Sequence, residues 1–279
     1  MGKLLRQALS PEAFNTAWKR VRNDRAVWEP GLPRREMEND LTYHLERLRR
    51  ELESGRYRPA PLRHFPVTKG DGGQRVLSAQ CLRDKLAQRA VLSALEPLGE
   101  ALFHNDSFGF RPARGVQPAL ERSRERVRCG LPWLVDADIR AFFDRIPHDG
   151  LRRVIRRRIP DRRLRRLLYR WIAAEPHATS ILGRRRGIPQ GAVLSPFLCN
   201  LYLHELDRAL ARRNIPFVRY GDDFLLFAAD RRTARRARRF AQRRLRRLGL
   251  SLHPGKTRVV RSSPAIRFLG GKLPEPPTE

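Results

Sequence analysis

An α+β fold is expected for this chain of 279 residues, and three observations lead there. Apolar residues recur at helical spacing over most of the first third, while short apolar strands bounded by turn residues appear between later helices. Strands and helices follow one another in an irregular order, which does not suit a doubly wound parallel sheet. Hydrophobic residues make up 41% of the chain, enough for a core although 32% are charged. No internal repeat or low-complexity linker interrupts it.

The elements can be justified in order. Ser10-Pro11 reads as an N-cap with proline at the first helical position, followed by Phe14, Ala17, Trp18 and Val21 on one face. Met37, Leu41, Leu45, Leu48 and Leu52 predict one further helix that stops at Ser54-Gly55. His64 to Val67 and the segment from Arg75 predict two strands around a Gly-rich turn at 69–73. Helices are expected over about 84–103 and 116–128, and 133–139 (WLVDADI) reads as a buried strand. Leu151 to Ile159 and Leu164 to Ile172 mark two more helices, and another begins at Ser195-Pro196 and runs to about 212. Residues 215–228 read as a hairpin. The last helix, about 233–248, sets Ala234, Ala237, Ala241, Leu245 and Leu248 on one side and arginine elsewhere. Strands are expected near 250–253, 256–261 and 266–269, before a frayed tail from Pro274.

Composition narrows the function. The chain carries 59 Lys plus Arg against 29 Asp plus Glu, a net charge of +30, and 53 of the 59 are arginine. A GC-rich genome is one source of that bias, but the resulting field attracts polyanions, nucleic acid first among them. The Arg-rich helices near 152–170 and 231–247 are therefore either solvated faces or partners for an RNA backbone. No apolar run of 18 residues and no secretory leader is seen. Cys81, Cys129 and Cys199 are odd in number and far apart, against a disulfide framework or a Cys-based zinc site. A cytoplasmic setting with reduced thiols is expected.

The chemistry sits in carboxylates. Tyr220-Gly221-Asp222-Asp223 lies between two apolar strands, so two adjacent acids stand on a turn rooted in the core. Their repulsion calls for a cation, and magnesium suits oxygen ligands. Asp136 and Asp138 share a face of the 133–139 strand, with Asp144 nearby in sequence. Acids from two strands can hold two metals for phosphoryl transfer.

These segments resemble the motifs of reverse transcriptases. Tyr220 to Asp223 resembles motif C, Asp138 with Phe143 motif A, and Arg186 to Pro196 (RGIPQGAVLSP) motif B. Ser107 to Pro112 (SFGFRP) resembles a block of bacterial group II intron enzymes, and Lys69 to Arg75 their fingers hairpin. Leu248 to Thr257 resembles motif D and Phe268-Leu269-Gly270 motif E. The resemblance runs from about 40 to 271 with the blocks in family order. It implies a right-hand polymerase with fingers, an antiparallel palm sheet with packed helices, and no thumb. Residues 1–60 would be an N-terminal helical extension, 61–135 fingers with part of the palm interleaved up to 200, 136–271 mainly palm, and 272–279 a tail.

The resemblance also implies roles. Asp138, Ile139, Asp222 and Asp223 would form the metal site for two Mg²⁺, with Mn²⁺ as an alternative. Asp136 is a lesser candidate, and Asp144 and Asp149 are read as a structural partner and a helix cap. Phe143 would stack under the incoming sugar and crowd a 2′-hydroxyl, with Phe142 as a core aromatic. Lys69 and Arg75 would hold the triphosphate, and Gln190 and Gly191 would border nucleotide and template. Ser195 is read as a helix cap. Lys256 would protonate the leaving pyrophosphate, with His253 a lesser candidate.

After Phe268 to Gly271 eight residues remain, where group II intron enzymes continue into a thumb and maturase region. The expected activity is RNA-directed DNA polymerisation on an RNA template, a DNA primer and dNTPs. A non-coding RNA or a protein partner would supply the thumb's grip, in a CRISPR-adaptation, antiphage-defence or free-standing setting. Two other readings stand beside it: a template-independent or self-primed nucleotidyltransferase in a defence system, and a non-catalytic RNA-binding scaffold. The intact acids argue against the scaffold.

Overall fold

The computed structural model describes residues 2–68 and 74–174, the backbone of 178–179, and residues 185–277. In chain order come α1 (Lys3–Ala8), α2 (Pro11–Val21), α3 (Arg34–Asn39), α4 (Leu41–Ser54), β1 (Arg63–Thr68), β2 (Gln74–Ala79) and α5 (Leu82–Leu102). Then follow α6 (Val116–Arg128), β3 (Trp133–Asp138), α7 (Phe142–Arg145), α8 (His148–Arg158), α9 (Arg162–Ala173), β4 (Ala178–Thr179), β5 (Arg185–Arg186) and α10 (Ser195–Ala211). The last are β6 (Phe217–Tyr220), β7 (Asp223–Ala228), α11 (Arg231–Arg247), β8 (Arg258–Arg261), β9 (Arg267–Phe268) and β10 (Gly271–Lys272). The fold is α+β, and every strand pair described is antiparallel. No described helix is long and apolar enough to cross a membrane.

The chain divides into two compact units, each built from two stretches: Met1–Gly99 with Leu151–Pro196, and Glu100–Gly150 with Phe197–Glu279. In the first unit, the Ser10 hydroxyl accepts the Ala13 N–H as the cap of α2, with Pro11 following it as expected. The single helix expected over 37–52 is two. Asp40 (φ −125°, ψ 43°) breaks the periodic run between α3 and α4, while Met37, Leu48 and Leu52 remain buried. Gly55 ends α4 in the left-handed conformation (φ 75°) that a Cβ would penalise. β1 and β2 form the expected hairpin, paired from Arg63 with Ala79 to Thr68 with Gln74. A buried polar triad ties distant parts of this unit. Tyr57 donates to Asp84 (2.5 Å), Trp171 Nε1 donates to the Tyr57 oxygen (3.0 Å), and Asp84 also accepts the Ala60 N–H (2.8 Å).

The second unit holds a four-stranded sheet in the order β6-β7-β3-β8. α11 packs on β3, β7 and β8, and α6 on β6 and β7. Leu134, Val218, Leu225 and Phe227 from the sheet join Ala119, Leu120 and Val127 of α6 in one core cluster, with Phe268 and Leu273 beside them. The strand expected at 250–253 reduces to a single bridge between Ile139 and Leu252. That expected at 266–269 is a two-residue pair with β10, because the chain turns back at Leu269 and Gly270, both with positive φ.

Candidate active site

Sheet register builds the acidic cluster. β6 and β7 pair with Tyr220 opposite Asp223, leaving Gly221 (φ 66°) and Asp222 as the two-residue turn. The β3–β7 ladder ends with Asp138 directly opposite Asp223. Directly opposed residues of an antiparallel pair lie close, so two carboxylates face each other here. Burial pushes the Asp222 carboxyl up, and Asp138 adds to the shift; Arg219 and Lys256 oppose it. Asp223 is exposed, yet its carboxyl is pushed up to about 7. The causes are displaced water first, then the charges of Asp222, Asp138 and Asp136. Asp136 shares the face of Asp138 as expected, but it is committed: cross-strand Arg258 pairs with it at 2.9 Å.

The segment after α11 approaches the same strand end. The Asp138 carbonyl accepts the His253 N–H (2.8 Å), and the Ser251 carbonyl accepts the Arg140 N–H (3.0 Å). Those two bonds flank the Ile139–Leu252 bridge and leave the Ile139 carbonyl outside it. The Ile139 side chain is buried, so a ligand from this residue could only be that carbonyl. His253 Nδ1 accepts the Lys256 backbone N–H (3.2 Å), which makes His253 a turn former and sets Lys256 within electrostatic reach of Asp222 and Asp223. Phe142 is buried and Phe143 half-buried, edge to face at 5.4 Å, on α7 just past Ala141 (φ 44°).

A buried arginine underlies the turn, and the sequence reading missed it. Arg219 is 1% exposed and uses all five guanidinium N–H groups. Nε and Nη2 bridge to Asp207 (2.8 and 2.6 Å), Nη1 reaches Asn200 Oδ1 and the Gly221 carbonyl (2.9 Å each), and Nη2 reaches the Ser107 hydroxyl (2.7 Å). Burial alone would favour loss of the proton; Asp207 more than offsets it and holds Arg219 charged. The signal was present: an arginine inside an apolar strand must find partners.

The same network explains the SFGFRP segment. It adds to β6 through a parallel bridge in which Arg219 N–H donates to the Asp106 carbonyl and Phe108 N–H donates to the Arg219 carbonyl (2.8 Å each). Asn200 Nδ2 donates to the Gly109 carbonyl (2.7 Å). A Cβ on Gly109 would stand 2.5 Å from the Gly221 nitrogen, so only glycine lets this backbone lie against the turn. Arg111, also buried, braces the loop by a bidentate pair with Glu100 and bonds to the His104 and Ser107 carbonyls.

The remaining candidates belong to the first unit. Arg75 is exposed on β2 opposite Val67, and Lys69 lies outside the described residues. The Gln190 carbonyl accepts the Ser78 N–H (2.8 Å), and Gly191 (φ 104°) passes so near that a Cβ would sit 3.2 Å from the Ser78 carbonyl. Gln80 and Gln88 side chains accept the Val193 and Leu194 N–H groups. Ser195 opens α10, and its hydroxyl donates back to the Pro189 carbonyl, closing the loop (2.5 Å).

A model of the family "Reverse transcriptase (RNA-dependent DNA polymerase)" matches residues 67–273. The chain belongs to the reverse transcriptase family. It is 31% identical to Protein YkfC of Escherichia coli over 97% of this chain and 82% of that protein. It is also 31% identical to the group II intron-encoded protein LtrA of Lactococcus lactis, over 78% of this chain but only 36% of that one. Among solved structures, telomerase from Candida albicans in complex with the TWJ fragment of telomeric RNA superposes with a TM-score of 0.55 at 14% identity. That match covers 86% of this chain and 48% of the telomerase chain, and it shows the fold alone. This reverse transcriptase is group II intron-like, with the α+β fingers–palm fold.

The donor set fits a hard divalent cation: carboxylates and a carbonyl, all oxygen, with like charges that a cation would relieve. Among the described residues no three His, Cys, Asp or Glu side chains already form a metal cage. Magnesium is ordinarily held by one or two carboxylates, water and substrate phosphates rather than by an all-protein cage, so the absence of a cage does not count against it.

Proposed function

We propose that this reverse transcriptase is an RNA-directed DNA polymerase of the cytoplasm, its first unit serving as fingers and its second as palm. The register that sets Asp138 opposite Asp223, one residue from Asp222, carries the reading. Asp138, Asp222, Asp223 and the Ile139 carbonyl would hold magnesium, which when bound supplies charge stabilisation to the attacking and leaving oxygens. The primer 3′-hydroxyl passes its proton to solvent water, and its oxygen bonds to the dNTP α-phosphorus as the bond to pyrophosphate breaks. Lys256, whose charge already reaches Asp222 and Asp223, gives a proton to the departing pyrophosphate. Phe143, half-buried beyond the strand end, packs against the sugar where a 2′-hydroxyl would collide. Arg75 supplies a fork for triphosphate oxygens, while Gln190 and Gly191 border the template base.

Primer extension tests the reading. Purified protein with magnesium, a DNA primer and an RNA template should add the complementary dNTP, and Asp222→Asn should lower that rate at least a hundredfold with RNA affinity retained. Addition unrelated to the template base would identify a template-independent transferase. Wild-type extension by Asp222→Asn would remove the acids from the chemistry.

A further inference from the structure

A groove of about 930 Å³ lies in the second unit between the end of α10, the loop into β6, and α11. Its walls carry Arg212 and Arg213 on one side and Arg236, Arg243, Arg244 and Arg247 on the other. On α11 the spacing of Arg236, Phe240, Arg243, Arg244 and Arg247 places them along one stripe, beside the buried stripe of Ala234, Ala237, Ala241 and Leu245. Ile215 and Pro216 give the groove an apolar part, and the Arg244 guanidinium lies 5.7 Å over the Phe240 ring. No Asp or Glu lines it, and none of the six arginines makes an ion pair among the described residues. Asp230, whose charge Arg236 does reach, is committed to the α11 cap through the Thr233 N–H and hydroxyl.

A solvated face is the plainer explanation. Arginines at a helix C-terminus complement its dipole, and that covers Arg244 and Arg247. It does not cover Arg236, which lines the groove near the start of α11; there Arg231, Arg232 and Arg235, outside the groove, also oppose the dipole, and the acid at that end, Asp230, is committed to the cap. Like charges three and four apart along the helix destabilise it further. A groove with that charge on both walls and no internal counter-ion matches a phosphodiester backbone.

We propose that this groove binds an RNA strand distinct from the primer–template end held at the carboxylates. The position argues for the distinction: Phe227 lines the groove, four residues along β7 from Asp223, or roughly 14 Å at strand rise. The polymerase reading enters only in naming the polyanion as RNA rather than another one.

The test replaces four exposed wall residues, Arg212, Arg213, Arg243 and Arg247, by glutamine, and in a second variant by lysine. Affinity for a single-stranded RNA, for an RNA hairpin and for a short primer–template duplex is measured against salt, with thermal melts to check folding. The glutamine variant should lose at least tenfold in affinity for the single strand. Its log–log salt slope should fall by about 3, at about 0.7 per lost phosphate contact. The lysine variant should keep the slope, and single-nucleotide addition at saturating duplex should be unchanged in both. Loss confined to the hairpin would overturn the single-strand assignment. A folded glutamine variant with an unchanged slope would overturn the proposal and leave an acidic protein as the occupant. Absence of nucleotide addition by the wild type, with the slope change intact, would instead overturn the polymerase reading and leave the groove standing.

Discussion

Arg219 and Asp207 are 1% and 0% exposed in their side chains and exchange two charged hydrogen bonds, so neither can lose the other cheaply. Arg219→Met leaves a buried carboxylate unpaired, and it also strands Asn200, Ser107 and the Gly221 carbonyl. Removing one member of such a pair costs about 3–5 kcal/mol. Chemical denaturation should show a loss of that size, and Asp207→Leu introduced together with Arg219→Met should recover part of it. Full additivity of the two single losses would mean that the pair does not act as a unit. Arg219→Lys should also fail to restore the wild-type midpoint, because an ammonium cannot make the five-donor fork that spans Asp207, Asn200, Ser107 and Gly221.

Among the elements, the loop before α6 shows how a segment remote in sequence sets the turn between β6 and β7. Gly109→Ala would push a methyl to within 2.5 Å of the Gly221 nitrogen and 3.0 Å of the Tyr220 carbonyl carbon. Backbone must move to admit it, at a cost of about 1–3 kcal/mol. Because the displaced atoms adjoin Asp222, the primer extension proposed above should fall more than melting temperature; a variant that loses stability but keeps its rate would separate loop from turn. This element also marks the boundary of what could be read from residues alone. The two acidic strands, the 63–79 hairpin and most long helices were legible because their periodicity or turn chemistry is local. Register was not: that Asp138 faces Asp223 and Asp136 faces Arg258 depends on pairing across more than 80 residues. The Asp40 break was hidden because the apolar spacing continues through it. Arg219 looks like a member of an apolar strand because nothing local shows its partners: Asp207 and Asn200 sit on the preceding helix, α10, and Ser107 lies in the SFGFRP loop, distant along the chain.

At the scale of the molecule, a net charge of +30 on 279 residues makes the folded state repel itself. Salt that screens this repulsion should raise the melting temperature between about 0.05 and 0.5 M, while an RNA ligand should raise it most at the low end, where phosphate contacts are strongest. A melting temperature indifferent to salt would place the balance of charge elsewhere, in the many arginine–carboxylate pairs of α4 and α6.

The division of each compact unit between two stretches of chain bears on how the protein is made. Residues 1–99 emerge from the ribosome before residues 151–196, with which they belong, and the stretch between them belongs to the other unit. At roughly 5–20 residues per second, the early helices wait several seconds for α9, which brings Trp171 to the Tyr57–Asp84 pair. Until then Tyr57 and Asp84 lack their third member, and α1 lacks its packing against α9. A nascent chain in that state is a natural client for a holdase, and expression yield should respond to chaperone supply more than the stability of the finished fold would suggest.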